Sequence, residues 1–224
     1  MRLRVLGSLV ATCVWLGAAT ASGNPIQAPK GAATHSEKAA ALKQDMRKLW
    51  TDHVVWTRDY IVAAVADQPD AQAAANRLMK NQEDIGRAVA TYYGPDAGQK
   101  LTALLKEHIS IAVDLIKAAK AGDKSAQQQA DTKWQQNGTQ IADFLSKANP
   151  HWSRATLVEM MNKHLSTTTE EVVARLNKKW DEDVRAFDAV YDHILHMSDA
   201  LADGIVKQFP DKFAPGPVPT SGKR

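Results

Sequence analysis

Apolar and polar residues alternate along this chain with the period of an α-helix in six long segments. We predict helices over residues 36–66, 70–93, 96–121, 124–148, 153–177 and 180–208. Ala, Leu, Lys, Gln and Glu, which are good helix formers, dominate these segments, and no strand-like alternation interrupts them. The sequence therefore predicts an all-α protein, a helical bundle of about six helices.

Most breaks between these segments contain residues that end or begin helices. These are Asp67-Gln-Pro-Asp70, Gly94-Pro-Asp96, Gly122-Asp123 and Asn149-Pro150. The fifth break, near residues 177–179, has neither Gly nor Pro, so helices five and six either separate there or run on through a kink. Residues 22–35, with Gly23, Pro25, Pro29 and Gly31, predict a flexible leader, and Thr34 with Glu37 then has the spacing of a capping box at the start of the first helix.

The six segments are copies of one pattern centred on a single polar residue. The centres recur about every 28 residues and are His53, Asn81, His108, Asn137, His164 and His193. Seven and three residues before each centre, and four and eight after it, the positions are apolar in almost every copy, and these offsets share one narrow stripe of a helix. Histidines mark the odd copies and asparagines two of the even ones, which indicates three tandem helical hairpins.

Each centre lies in the middle of its apolar stripe, although it is a histidine or an asparagine. Leaving such a group buried without a partner costs about 1–3 kcal/mol. We therefore expect these side chains to find partners among each other, in Thr57 and Thr168 four residues after two of the centres, in waters, or in a ligand.

Four of the centres carry imidazoles, which bind transition metals when they converge. His53, His108, His164 and His193 would form a closed zinc site or an open copper, nickel or haem site. Met161 and Met197 lie close to these histidines in sequence, and mixed His/Met ligands favour copper. Alternatively, Asn81 and Asn137 pair with neutral imidazoles in a structural layer that only specifies how the helices pack.

Tryptophan is the second residue type that suggests a site. The helical segments contain Trp50, Trp56, Trp134 and Trp180. Such residues line an apolar ligand pocket in some proteins, and in others they only pack helices together.

One run, Leu49-Trp-Thr-Asp-His-Val-Val-Trp-Thr-Arg-Asp-Tyr-Ile61, is distinctive. With Asn81-Gln-Glu-Asp-Ile-Gly86, Tyr92-Tyr-Gly94 and the run ending at His108, it resembles a family of small secreted helical proteins of bacteria that carry the motif LWxDHVxWTRxYI. Some relatives bear the label glycosyltransferase or acetylglutamate kinase, so the resemblance implies a transferase as one alternative. The chain has no glycine-rich phosphate loop and no parallel-sheet pattern, so its own residues favour a non-enzymatic protein.

Both ends of the chain differ in composition from the helical segments. Residues 1–21 have the form of a signal peptide, with Arg2 and Arg4, a short apolar run, and small residues before Ser22. The run is too short for a membrane span. We therefore predict an exported protein, periplasmic or secreted, without an integral membrane span. Residues 210–224, rich in Pro and Gly, predict a disordered tail.

Charge and cysteine content exclude several classes of function. Without Arg2 and Arg4 the basic residues almost balance the 25 acidic ones, which excludes the basic surface of a nucleic-acid-binding protein. The only cysteine, Cys13, lies in the predicted signal peptide, which leaves no disulfide and no thiolate site. Our leading hypothesis is a non-enzymatic binding protein for a transition metal or small ligand at the His/Asn layer. The alternatives are a structural or interaction protein of the cell envelope and a transferase.

Overall fold

A computed structural model describes residues 30–214 of the protein, with side chains from residue 37. Its six long helices are α1 Lys30–Val65, α2 Ala71–Tyr93, α3 Pro95–Ala121, α4 Lys124–Ala148, α5 Arg154–Leu176 and α6 Trp180–Gln208, and a short α7, Pro210–Phe213, follows. The described range contains no strand. The predicted all-α bundle is confirmed, and apart from the start of α1 the helix ends lie close to the predicted ones.

The two ends of the described range differ from the prediction. Helix α1 begins at Lys30, so Thr34 lies inside the helix and is not its N-cap. Residues 210–213 were predicted to be disordered, but they form α7, because the Phe213 side chain is buried against the bundle with its ring 6.0 Å from Tyr92. The predicted signal peptide, 1–21, and residues 215–224 lie outside the described residues.

Helices α5 and α6 are separate, so the alternative of one kinked helix is wrong. The backbone reverses at Lys178, whose φ of 58° lies in the left-handed region. The Lys179 amide donates to Ala174 O at 3.0 Å and closes the end of α5. A glycine usually occupies a position with a positive φ. Because a lysine occupies it here, the sequence did not reveal the turn.

The helices form a closed ring. Each long helix packs against the next one along the chain, and α6 packs back against α1. Because the connections are short, neighbouring helices run antiparallel, and the hairpins are α1–α2, α3–α4 and α5–α6. Helix α1 also touches α3 and α5 across the ring, so the first helices of the three hairpins meet near its centre. This arrangement buries the apolar stripe of every copy.

One hydrogen bond is repeated in all three hairpins. The central side chain of the second helix donates to a carbonyl of the first helix, four residues before that helix's own centre. The bonds are Asn81 Nδ2 to Leu49 O at 2.9 Å, Asn137 Nδ2 to Leu104 O at 3.1 Å, and His193 Nε2 to Met160 O at 2.8 Å. The tandem hairpins predicted from the sequence are therefore present in three dimensions.

The buried apolar side chains form a main core and a smaller cluster. The main core runs along all six long helices, and the smaller cluster contains Tyr60, Ile61, Ala74, Ile116 and Val172. Within the described residues, no helix is long and apolar enough to cross a membrane.

Candidate functional site

The first helix of each of the three hairpins contributes one histidine to the interior of the bundle. We call these three residues, His53, His108 and His164, the histidine layer. The ring centroid of His164 lies 5.6 Å from that of His53 and 6.1 Å from that of His108. The three side chains are buried, with 3%, 2% and 4% of their residue surface exposed. His193 is half-buried with its ring 6.4 Å from His164, so it borders the layer.

Asn137 fixes the protonation of His108. The amide of Asn137 donates from Nδ2 to Leu104 O, so its Oδ1 faces His108 Nδ1 as an acceptor at 2.9 Å. His108 Nδ1 therefore carries the proton, and Nε2 presents a lone pair. That Nε2 atom is buried and has no hydrogen-bond partner among the described residues.

Gln82 fixes the protonation of His53 in the opposite sense. Gln82 Nε2 donates to Leu78 O at 2.8 Å, and Asn81 Oδ1 at 3.2 Å and His53 Nδ1 at 3.3 Å share its second proton. Because an amide nitrogen can only donate, the His53 Nδ1 that faces it carries no proton, and His53 Nε2 carries it.

Gln82 was missed by the sequence analysis, although a signal was present. In the other five copies the residue just after the centre is apolar or glycine: Val54, Ile109, Gly138, Leu165 and Ile194. A glutamine in this register, fully buried in the structure, marks a side chain that needs a polar partner.

His164 is the least satisfied member of the layer. Within residues 37–214 neither of its ring nitrogens has a hydrogen-bond partner, and Nδ1 is completely buried. Its hairpin has His193 where the second hairpin has Asn137. His193 donates from Nε2 to Met160 O, as the asparagines donate to their carbonyls, but it has no amide oxygen to accept from His164.

The threonines expected to pair with the layer bond to the backbone instead. Thr57 Oγ1 donates to His53 O at 2.7 Å, and Thr168 Oγ1 donates to His164 O at 2.9 Å. Helical threonines often bond back to the carbonyl four residues earlier in this way. The threonine hydroxyls therefore do not satisfy the imidazoles.

The imidazoles are uncharged at neutral pH. Burial, with a smaller effect of the neighbouring His108, lowers the pKa of His53 to about 3. Burial also lowers the pKa of His108 to about 4 and holds the pKa of His164 well below its ordinary value. The half-buried His193 has a lowered pKa for the same main reason. Neutral imidazoles offer one donor and one acceptor each.

A pocket of about 490 Å³ lies beside the histidine layer, and we call it the His pocket. It lies between the main core, which contributes Leu115 and Trp134, and the smaller cluster, which contributes Ile116 and Val172. Its other lining residues are His53, Thr57, His108, Ile109, Ala112, Ala119, Lys124, Gln127, Gln128, Asp131, His164, Thr168, Thr169 and Val173. The polar residues from α4 in this set are exposed or half-buried, so the pocket opens beside α4.

A second cavity, of about 20 Å³, also touches the three imidazoles. Trp50, Met161 and Met197, which the sequence associated with the layer, line it. A cavity of this size holds about one water molecule. The histidine layer therefore has a ligand-sized space beside it as well as a water-sized one.

The four tryptophans have different environments. Trp134 lines the His pocket with its ring 5.2 Å from His108, and its buried Nε1 has no partner among the described residues. Trp56 packs against the guanidinium of Arg77, and Trp180 is 52% exposed. The predicted aromatic lining is thus limited to Trp134 in the His pocket and Trp50 in the small cavity.

The described residues contain no group of three or more His, Cys, Asp or Glu side chains placed to hold a metal ion. The rings of His108 and His164 are stacked, with an interplanar angle of 24°. The copper, zinc or haem site suggested by the sequence stays a prediction.

Comparisons with family models, with curated proteins and with solved structures find no match to this chain. The resemblance to the bacterial family with the LWxDHVxWTRxYI motif therefore stays a prediction from the sequence.

Proposed function

We propose that this protein is an exported, non-enzymatic binding protein that takes a small ligand in the His pocket, against the histidine layer. The observation that carries the proposal is His164, which is buried in the pocket wall with no hydrogen bond to either ring nitrogen among the described residues. An unpaired buried polar group costs about 1–3 kcal/mol. A ligand that supplies the missing partner removes that cost.

The pocket has the composition of a small-molecule site. Such sites have volumes of roughly 300–1,000 Å³, apolar walls and a few polar groups that orient the ligand. Here the apolar walls come from α3 and α5, including Ile109, Leu115 and Val172. The buried polar groups of the lining include the three neutral imidazoles and the hydroxyl of Thr168.

The same pocket gives little support to a transferase. A catalytic histidine is usually oriented by a carboxylate or an equivalent group. No histidine of the described residues hydrogen-bonds to a carboxylate, and the layer is oriented by the amides of Gln82 and Asn137. These amides position neutral rings for hydrogen bonding.

Metal binding is the second candidate function. The bare Nε2 of His108 and the unpaired His164 are neutral imidazoles, the form that binds copper and zinc, and Met161 and Met197 lie beside the layer. Metal binding requires the stacked rings to turn towards one point, whereas a small ligand fits the pocket as it stands.

Titration with the fluorescent apolar probe N-phenyl-1-naphthylamine tests the first candidate. We expect saturable binding to one site in the full exported protein. Ala112→Phe, which fills the pocket, should abolish binding, and His151→Ala, which changes an exposed histidine of the α4–α5 connection, should leave it unchanged. Absence of saturable binding, or binding that Ala112→Phe does not reduce, would overturn the proposal.

Native mass spectrometry with copper, zinc and nickel tests the second candidate. Stoichiometric uptake that is lost in both His108→Ala and His164→Ala but kept in His151→Ala would establish a metal site. Uptake that these two changes do not affect would exclude the layer as that site.

A further inference from the structure

The ring contains three equivalent places where the two helices of one hairpin meet the first helix of the next hairpin, and we call them the first, second and third seams. Four positions of the repeat define each seam. They lie seven and eleven residues after the centre of the hairpin's first helix, ten before the centre of its second helix, and five after the centre of the next hairpin's first helix. The residues are Tyr60, Ala64, Ala71 and Val113 in the first seam, Leu115, Ala119, Gln127 and Thr169 in the second, and Glu171, Arg175, Asp183 and Arg58 in the third.

Two arginine side chains fill the third seam. Arg58 donates from Nη1 to Glu171 Oε1 at 2.9 Å and from Nη2 to Asp183 Oδ2 at 2.8 Å, and its guanidinium lies 5.3 Å from the centre of the Phe187 ring. Arg175 Nη1 donates to Asp183 Oδ2 at 3.1 Å. Both acids are buried, so the two guanidinium groups and their partners close this seam.

The second seam has short side chains where the third seam has arginines. Thr169 takes the place of Arg58 and Ala119 the place of Arg175, while a leucine and a glutamine replace the two acids. All four residues of the second seam line the His pocket, together with the three histidines of the layer. Because Thr169 is exposed and Leu115 is buried, this seam extends from the surface into the bundle.

The first seam is open as well, but it does not reach the histidine layer. Its four residues line a groove of about 880 Å³, with Val113 and Ala64 at the two arginine positions. Tyr60, whose side chain is buried, takes the place of Leu115, and no histidine belongs to the described lining of the groove. Within the described chain, the second seam is therefore the one whose open space continues to the layer.

The hydroxyls of the neighbouring threonines are engaged within α5. Thr169 Oγ1 donates to Leu165 O at 2.9 Å, and the buried Thr168 Oγ1 donates to His164 O at 2.9 Å. The proton of each hydroxyl is therefore used by the backbone of its own helix. What distinguishes Thr169 from Arg58 at the equivalent position is mainly the length of the side chain.

We infer that Thr169 and Ala119 determine the size of the ligand that the His pocket accepts. Their short side chains leave, in the second seam, the space that Arg58 and Arg175 fill in the third seam, and part of the ligand occupies that space. This inference rests on the proposed function and identifies the residues that set the specificity of the site.

Binding of N-phenyl-1-naphthylamine to two variants of the full exported protein tests the inference. Thr169→Arg repeats Arg58 in the second seam, and the new guanidinium would lie beside Asp131, which takes the place of Phe187 in the repeat. Ala119→Arg repeats Arg175 in the same way. We expect each change to raise the Kd of the probe about tenfold or more, because the added side chain fills space that the probe needs.

The first seam provides matched controls. Val113→Arg and Ala64→Arg place the same side chain at the equivalent positions there, in a groove that does not reach the layer, and should leave the Kd within about a factor of two. Thr169→Val keeps the size of the side chain and removes the hydroxyl, so it should also leave the Kd within about a factor of two.

The folding of each variant is checked by its circular dichroism spectrum. Residue 169 is exposed, and arginine is a better helix former than threonine, so we expect Thr169→Arg to keep the helical content of the wild type. Thr169→Leu adds bulk without charge and should raise the Kd of the probe about threefold or more. It gives the same answer if an arginine variant is unstable.

Each outcome supports or overturns the inference. If Ala112→Phe abolishes binding but the folded variants of Thr169 and Ala119 bind the probe normally, the inference fails while the proposed function stands. The inference also fails if the first-seam variants weaken binding as much as the second-seam variants do, or if Thr169→Val weakens it as much as Thr169→Arg does. If the wild type shows no saturable binding, the proposed function and the inference both fail.

Discussion

The second and third hairpins share the hydrogen bond between their two helices. They differ in whether the central side chain of the second helix also accepts a hydrogen bond from the histidine of the first helix. In α3–α4, Asn137 donates to the facing helix and accepts from His108. In α5–α6, His193 donates to the equivalent carbonyl and leaves His164 without a partner. Exchange of an amide for an imidazole at one position of the repeat thus replaces a hydrogen-bonded pair with a histidine that has no partner among the described residues.

The first hairpin shows a third solution. Asn81 donates to the facing helix like its counterpart, but its Oδ1 faces Gln82 Nε2 at 3.2 Å and not His53. Gln82 then reaches the histidine at 3.3 Å. The repeat therefore keeps the bond between the two helices constant and varies the bond to the layer.

A buried ionic cluster elsewhere shows that this chain pairs polar groups closely where they are structural. Arg58 of α1 forms ion pairs with Glu171 of α5 and with Asp183 of α6, and Arg175 contacts Asp183 at 3.1 Å. Both acids are 1% exposed. Burial nevertheless outweighs the attraction of Arg58 and raises the pKa of Glu171 to about 7. His164, in contrast, has no partner for either ring nitrogen among the described residues.

Acidification should have the largest effect, because it acts on all three hairpins at once. The layer histidines have pKa values below the ordinary 6.5, with those of His53 and His108 at about 3 and 4, so protons bind more readily to the unfolded chain. Stability is full above pH 6.5, and each of the three histidines removes up to about 1.4 kcal/mol per pH unit below it.

Glu171 opposes this effect, because its raised pKa stabilises the folded protein as pH falls from about 7 towards 4.5. One acid does not offset three histidines, so the free energy of unfolding should fall by several kcal/mol between pH 7.5 and pH 5. Urea denaturation monitored by circular dichroism measures it, and Glu171→Gln should steepen the fall. Equal stability at both pH values would show that the histidines are not buried.

Asn137→Leu breaks the closed pair of the second hairpin. It leaves the His108 Nδ1 proton and the Leu104 carbonyl without their side-chain partner, which should cost about 3 kcal/mol. In the third hairpin, His193→Leu removes one bond from a half-buried side chain and should cost about 1 kcal/mol. Urea denaturation of both variants compares the hairpins directly. Equal losses of unfolding free energy in the two variants would show that Asn137 and His193 contribute equally to the stability of their hairpins.

His193→Asn should convert the third hairpin into a copy of the second. The new amide donates to Met160 O and accepts from His164 Nδ1, so the free energy of unfolding should rise by about 1 kcal/mol. Because His164 is then paired, N-phenyl-1-naphthylamine should bind more weakly. A variant of unchanged stability and affinity would contradict the role given to His164.

Thr168→Ala should have the smallest effect. The second hairpin has Ala112 at the equivalent position, and the Thr168 hydroxyl bonds only to a carbonyl of its own helix. We expect a change of less than about 1 kcal/mol in the free energy of unfolding. A larger loss, measured by thermal denaturation, would mean that the hydroxyl supports His164.

The sequence predicted the helices and the repeat because an apolar stripe with a period of 3.6 residues determines both. It also identified the layer, since a histidine or asparagine in that stripe must be buried. Gln82 was missed because it stands one position after a centre, outside the repeated polar pattern. The turn at Lys178 was missed because its left-handed backbone is adopted by a lysine. The His pocket was not predictable, because the stripe does not determine how far apart the helices lie beside it.

Closure of the ring by α6 against α1 has a topological consequence. The first part of α1 lies beside the end of the described range, as the bond from Lys38 Nζ to Ala214 O at 2.8 Å shows. A circularly permuted chain that connects α7 to α1 and opens at Gly94, between the first two hairpins, would keep both neighbours of every long helix. Any of the three hairpins could thus come first along the chain without a change in the packed structure.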